Sequence, residues 1–167
     1  MDPNDKKTAL RMIPYGLYVL TGEAENGRVA ASTVNWVTQA SFEPPLVVVG
    51  VKVDSGAHAT IKEAGAFALN VLGKNQQGTA YAFFKPTERD GDTIAGEAFR
   101  SGSIGAPILE SCRAFIECKL VDTVEKGDHS VFVGEVVDAG VAEEPPGRPD
   151  DVTLELRDLG DKVFYGG

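Results

Sequence analysis

Three short stretches of this 167-residue chain bring together side chains that could do chemistry. The first is Ala31-Ser32-Thr33-Val34-Asn35-Trp36-Val37-Thr38-Gln39-Ala40-Ser41. It is dense in hydroxyl and amide groups. With free backbone N–H and C=O, these can hydrogen-bond a flat heterocycle of alternating donors and acceptors. Trp36 adds a broad aromatic face to cover such a ring. A polar strand end carrying a core tryptophan has the same composition.

The second stretch runs from Lys52 to Thr60, where a strand gives way to a helix. Ser55 is placed to cap that helix, and Gly56 keeps the backbone open. The first helical N–H groups have no internal partner, and the helix dipole adds positive potential. Lys52, His58 and the hydroxyls of Ser55 and Thr60 add donors, which together make an anion or phosphate site. An ordinary capped helix is the alternative. The third stretch is Gly127 to Val136. Its His129 opens a strand just after a turn, where an imidazole could contact a substrate or nicotinamide or assist proton transfer. A hydrogen-bonded turn histidine is the plainer reading.

Other chemistries are excluded. The only second histidine is His58, so a multi-histidine metal site is impossible. There is no HExxH, CxxC, GxSxG or GxGxxG pattern. A nicotinamide acting here would therefore be a visiting substrate without a Rossmann domain. The net charge of −9 argues against a nucleic-acid groove or an anionic membrane surface. It leaves room for a local phosphate site. Cys112 and Cys118 lie about 20 Å apart if they share a strand, too far for a disulfide, and are read as small buried apolar residues. No apolar run approaches the ~18 residues of a membrane helix. The opening Met-Asp-Pro-Asn-Asp lacks the plan of a secretion signal, so a cytoplasmic location is expected.

The elements that must position these stretches follow from the pattern. Pro3 to Met12 is helical, capped by Asp2 and limited by Pro14. Tyr15 to Thr21 is a strand, Asn26-Gly27 a hairpin turn, and Arg28 to Val37 the returning strand. Gln39 to Pro45 is a loop. Leu46 to Val53 is a nearly continuous apolar run, the mark of a strand covered on both faces. Ala57 to Ala64 is a helix stopped by Gly65, and Phe67, Leu69 and Val71 alternate along the next strand. Asn75 to Phe84 is helical and ends before Pro86. Lys85 to Gly105 is polar and glycine-rich, with no strong period. Cys112 to Leu120 and His129 to Val137 alternate as strands. Glu143 to Asp151 is an exposed loop, and Val152 to Leu156 and Lys162 to Tyr165 are weaker strands. Six or more strands without regular crossover helices argue for an antiparallel barrel in one domain spanning 1–167.

Taken in order, the segments Ile13–Thr21, Ala31–Val51, Ser55–Leu72, Gly105–Leu120 and Gly127–Gly140 resemble the flavin reductase-like family. That family has an FMN-binding split β-barrel and includes flavoredoxin. The resemblance implies a mainly β chain with short helices, folded as an antiparallel split β-barrel. It implies that Thr33, Val34, Asn35 and Trp36 border the flavin ring, that Ser41 lies near the flavin chain, and that Lys52, Ser55, His58 and Thr60 hold the phosphate. His129 would stand at the open flavin face, and Phe83 and Phe84 could border the cofactor. The implied activity passes electrons from NADH or NADPH through bound FMN to a flavin, ferric iron or another small-molecule or protein acceptor. The implied assembly is a homodimer. An FMN-containing electron carrier reduced by a partner protein is the alternative, and a related split barrel holding pyridoxal phosphate or haem is a third reading. The Asn35-Trp36 pair departs from the small-residue form of many two-component monooxygenase reductases and points to the flavoredoxin-like branch. The chain stops at Phe164-Tyr165-Gly166-Gly167, where the family often carries a longer aromatic tail.

Overall fold

The computed structural model describes all residues, 1–167. Helix α1 (Pro3–Arg11) starts where the Asp2 carboxylate accepts the N–H groups of Asn4 at 2.8 Å and Asp5 at 3.1 Å. It buries none of its residues. Then come β1 (Tyr18–Glu23), β2 (Val29–Val34), β3 (Val37–Ser41) and β4 (Leu46–Lys52). Helix α2 (Gly56–Ala64) follows, capped by Ser55 and closed by Gly65 at φ 66°. Next are β5 (Ala66–Val71) and α3 (Gln77–Ala82). The short strands β6 (Arg89–Asp90), β7 (Thr93–Ile94), β8 (Glu97–Ser101) and β9 (Pro107–Leu109) form a small sheet of their own. The long hairpin β10 (Ala114–Glu125) and β11 (His129–Val141) completes the strands. No helix is long and apolar enough to cross a membrane.

The main sheet has seven strands in the order β2-β1-β5-β10-β11-β4-β3, every pair antiparallel. Its two edge strands, β2 and β3, are consecutive in the chain and separated only by Asn35 and Trp36. The sheet must therefore curl until its edges meet. Ala30 of β2 and Val47, Val49 and Val51 of β4 accordingly share one apolar cluster with Leu20, Phe67 and Phe132. Ala57 and Ile61 of α2 are part of the same cluster. This is the mainly β, split-barrel architecture that the sequence implies.

A second cluster lies on the opposite face of β1 and β5, built from Leu17, Val19, Ala68, Leu72, Phe83, Ile108, Leu109 and Leu154. Successive residues of a strand point to opposite faces. Val19 and Leu20, or Ala68 and Leu69, thus enter different cores. β1 and β5 are the strands covered on both faces. β4, expected in that role, alternates buried with half-buried positions.

Polar groups stitch the two sheets together. Asn70 donates to the Val19 carbonyl at 3.0 Å and accepts from the Leu109 amide at 2.8 Å. Glu117 is completely buried, and its carboxylate accepts from the Ser103 amide (3.0 Å), the Ser103 hydroxyl (2.9 Å) and the Ile104 amide (3.2 Å). Gly134 leaves room for a crossing ring: a Cβ there would lie 2.5 Å from Cζ of Phe67.

The returning strand expected over Arg28 to Val37 is two strands, and β3 occupies the start of the expected Gln39 to Pro45 loop. The aperiodic Lys85 to Gly105 segment holds three short strands, each too brief to show a period. Val152 to Leu156 forms only two isolated antiparallel bridges, Thr153 with Gly73 and Glu155 with Gly16, and Lys162 to Tyr165 is not a strand. Pro149–Val152 and Leu156–Leu159 are 3-10 turns, and 162–165 is irregular. Cys112 precedes β10 and sits in one core, while Cys118 sits in the other. Both thiols are free, and burial pushes their pKa values up to about 11 and about 12. That makes them poor nucleophiles at neutral pH.

Glu117→Ala removes three hydrogen bonds to a buried carboxylate and takes the acceptor from the half-buried Ser103 and Ile104 amides. The expected loss is about 2–4 kcal/mol of unfolding free energy. It would be read from the urea midpoint at unchanged slope. A loss below about 0.5 kcal/mol, the range of an ordinary surface change, would show that the loop holds itself.

Candidate functional site

A cavity of about 350 Å³ opens along the seam where the sheet edges meet. One wall is the end of β2 and the following residue: Ser32, Thr33, Val34 and Asn35. The facing wall is the end of β4 and the turn into α2: Gly50, Val51, Lys52 and Ser55. His129 joins them because β11 pairs with β4 in the register His129↔Lys52. Leu17, Phe83, Phe84 and Leu156 give the interior its apolar surface. Val163, Phe164 and Tyr165 border it from the chain's last segment.

Thr33 ties the β2 wall to α3. Its hydroxyl donates to the Ala80 carbonyl at 2.7 Å and its amide to the Phe83 carbonyl at 3.1 Å. Asn35 is buried and donates through Nδ2 to the Tyr165 carbonyl at 3.1 Å. Trp36 is outside the lining but touches it, with ring centroids 4.5 Å from His129 and 5.4 Å from Tyr165. Gly50 exists for this indole: a Cβ there would come within 3.0 Å of Cε3 of Trp36. The indole N–H is buried and has no acceptor.

Lys52 lies 3.1 Å from Asp54, whose hydrogen bond and charge raise the lysine pKa above its ordinary value. Ser55 donates to the Lys52 carbonyl at 2.7 Å and accepts from the His58 amide at 3.2 Å. The hydroxyl is therefore occupied as a cap. The earlier amides of the α2 first turn, at Gly56 and Ala57, have no helical acceptor.

His129 is engaged at both nitrogens. Nδ1 lies 2.9 Å from Asp128 and Nε2 lies 2.7 Å from the Tyr165 hydroxyl. An ionised carboxylate only accepts, so Nδ1 carries a proton. In the neutral ring Nε2 then accepts from tyrosine. The hydrogen bond from His129 holds Asp128 below the usual carboxylate range. Burial raises the Tyr165 phenol above its ordinary value, so the hydroxyl keeps its proton at neutral pH.

Of the residues singled out in the sequence, the structure brings Thr33, Val34, Asn35, Lys52, Ser55 and His129 to one cavity, with Trp36 at its border. It does not bring His58, Thr60 or Ser41. Helical periodicity turns Ala57, His58, Thr60 and Ile61 inward together. The His58 ring bonds Ser130 at 2.9 Å, and the Thr60 hydroxyl accepts from Arg28 at 3.2 Å. Ser41 ends β3 beside the exposed Phe42, outside the cavity. Phe83 and Phe84 do line it, as do Leu17, Leu156 and Phe164-Tyr165, which sequence reasoning did not select. The aromatic pair before Gly166-Gly167 was the available signal for the last of these.

An apolar slot lined also by the Asn35 amide, the Lys52 cation and the start of α2 with its free amides fits a flat heterocycle carrying an anionic chain. Comparison with known proteins agrees. Residues 10–157 match the flavin reductase like domain. A flavin reductase of Pseudomonas putida is 31% identical over 144 residues, covering 86% of this chain and 83% of the relative. The ferric-chelate reductase (NAD(P)H) of Archaeoglobus fulgidus is 34% identical, covering 80% and 79%. The solved styrene monooxygenase flavin reductase of Pseudomonas putida S12 superposes with a TM-score of 0.71 at 32% identity, covering 84% of this chain and 88% of that one. Two further relatives, from Rhizobium meliloti, are longer, and the chain spans 42% and 57% of their lengths. With a family match over most of its length and relatives of this identity and coverage, the chain belongs to the flavin reductase-like family.

Proposed function

We propose that this chain holds FMN in the seam cavity and works as a flavin reductase-type oxidoreductase. It would take electrons from NADH or NADPH and deliver them to a flavin, ferric iron or another acceptor. The observation that carries this reading is the meeting, in one cavity, of the β2 end, the Lys52–Ser55 turn and His129 in a chain of this family.

Bound flavin supplies the two-electron chemistry that no side chain here offers. The chain's own residues bind, orient and shield. Lys52 and the first-turn amides of α2 hold the phosphate, with Lys52 exchanging its Asp54 partner for it. Thr33, Val34 and Asn35 present backbone and amide groups to the ring edge, and Trp36 backs them. Leu17, Phe83, Phe84 and Leu156 exclude water, which strengthens every polar contact inside. Asp128 fixes the His129 ring, so that its Nε2 side addresses the donor or acceptor.

The partner at the protein level is a second copy of this chain. Val121 and Val137 sit at the two bulges of the β10–β11 hairpin, and they are exposed together with Val124, Val131 and Val141. That row of valines supports self-association.

The first test is the visible spectrum of the protein loaded with FMN, before and after anaerobic NADH and NADPH. Bleaching by either is expected. A flavin that only a protein reductase bleaches would make the chain an electron carrier, and failure to take up FMN would sink the cofactor. Lys52→Glu places a negative charge beside the phosphate and should weaken FMN binding by at least about tenfold in a fluorescence titration. Wild-type affinity would put the phosphate elsewhere. His129→Ala should keep the flavin bound while steady-state reduction falls by about tenfold to a hundredfold. Unchanged turnover with both nicotinamides would remove His129 from the mechanism.

A further inference from the structure

The segment Val163–Gly167 lines the cavity with Val163, Phe164 and Tyr165 without belonging to any helix or strand. Side chains hold it there. Asn35 donates to the Tyr165 carbonyl at 3.1 Å, and Arg11 donates to the Gly166 carbonyl at 3.0 Å. The Arg11 guanidinium lies 4.3 Å from the centre of the Phe164 ring. The Tyr165 hydroxyl meets His129 at 2.7 Å. Within the segment, the one backbone hydrogen bond outside regular structure runs from the Val163 amide to the Gly160 carbonyl. This is a strap, not a wall.

The strap does not fill the cavity, which keeps a volume of about 350 Å³. It lines the cavity with the planar Tyr165 ring, which packs against Trp36 and His129, while the backbone carbonyl of the same residue accepts from Asn35. One donor is left over. The Trp36 indole N–H is buried without an acceptor, and the Gly166 backbone lies over it, since a Cβ there would sit 3.7 Å from Nε1. Buried donors without partners are rare, so the docked strap is not the arrangement that satisfies this end of the site. A ring that stacks above a bound flavin and brings its own amide would meet Asn35, Trp36 and His129 together. The nicotinamide ring with its carboxamide has that chemistry.

The geometry points to Tyr165 as an internal occupant of the nicotinamide position, which the incoming donor must displace from His129 and Asn35 before it can stack. This rests on the flavin reading above for what lies beneath the ring. Displacement costs affinity in proportion to the fraction of time the strap is docked. A strap docked about nine-tenths of the time weakens nicotinamide binding about tenfold. The docked strap also shields the cavity from water and oxygen until the donor arrives.

The test compares wild type with Tyr165→Ala and Tyr165→Phe. Trp36 is the single tryptophan, so its emission reports strap docking directly, and it should shift in Tyr165→Ala without any ligand. NAD+ is then titrated into the FMN-loaded proteins, and FMN into the flavin-free ones. The expected result is a severalfold to about tenfold lower Kd for NAD+ in Tyr165→Ala, a smaller gain in Tyr165→Phe, and FMN affinity within twofold of wild type. Unchanged or weaker NAD+ binding in Tyr165→Ala overturns the proposal and leaves the flavin reading standing. A large loss of FMN affinity in that variant also overturns it, because Tyr165 is then part of the flavin wall. If wild type itself takes up no FMN, the flavin reading fails. The strap is then judged by the same NAD+ comparison on flavin-free protein, followed by Trp36 emission.

Discussion

Two residues join the two edges of a seven-stranded sheet. β2 and β3 are as far apart in strand order as the sheet allows, yet Asn35 and Trp36 alone separate them in the chain. The backbone can span only a few ångströms per residue. The sheet therefore has no flat form, and its curl, its seam and the cavity along that seam follow from this short link. The β4–β11 register fixes the rest. With His129 opposite Lys52, the histidine, the lysine and the start of α2 stand at one end of the seam. A slip of one residue would turn every β11 side chain to the other face and take His129 out of the cavity.

Much of this was legible in the residues. The α1 cap at Asp2, the α2 boundaries at Ser55 and Gly65, and the existence of strands β5, β10 and β11 all match local pattern, because local chemistry decides them. The break at Asn35-Trp36 was not legible. Val34 and Val37 flank the break with strand-forming residues, so Arg28 to Val37 reads as one strand, and the rest of β3 as the start of a loop. Only tertiary packing, with Trp36 dropped onto Gly50 and its carbonyl accepting the Gly50 amide at 2.9 Å, shows that the chain changes edges there. The continuous apolar run of β4 misled in the opposite sense. Hydrophobicity shows that burial is possible, but the covering layer decides it, and that layer lies over β1 and β5 instead.

The site divides along the same line. Residues on strand ends and turns, such as Thr33, Asn35, Lys52, Ser55 and His129, converge because their elements end at the seam. His58 and Thr60 are adjacent in sequence to those groups and have the right chemical types. One turn of helix nonetheless rotates them into the core, where Ser130 and Arg28 satisfy them. Tyr165 was hidden for a third reason. Its segment has no periodicity, and its place comes from side-chain contacts with Arg11, Asn35 and His129, positions spread across the whole chain.

The closing of the sheet has a consequence for how the protein behaves in a crowd. An open antiparallel sheet ends in two rows of unpaired backbone groups, which invite strands from other chains and seed aggregation. Here the β2 edge borders the cavity, while β3 is a five-residue edge strand outside it. Part of the β2 edge is already engaged, with the Thr33 amide bonded to Phe83, and α3 and the final segment lie over it. What would be a liability at the β2 edge is thereby withdrawn from other chains and aimed at a small molecule.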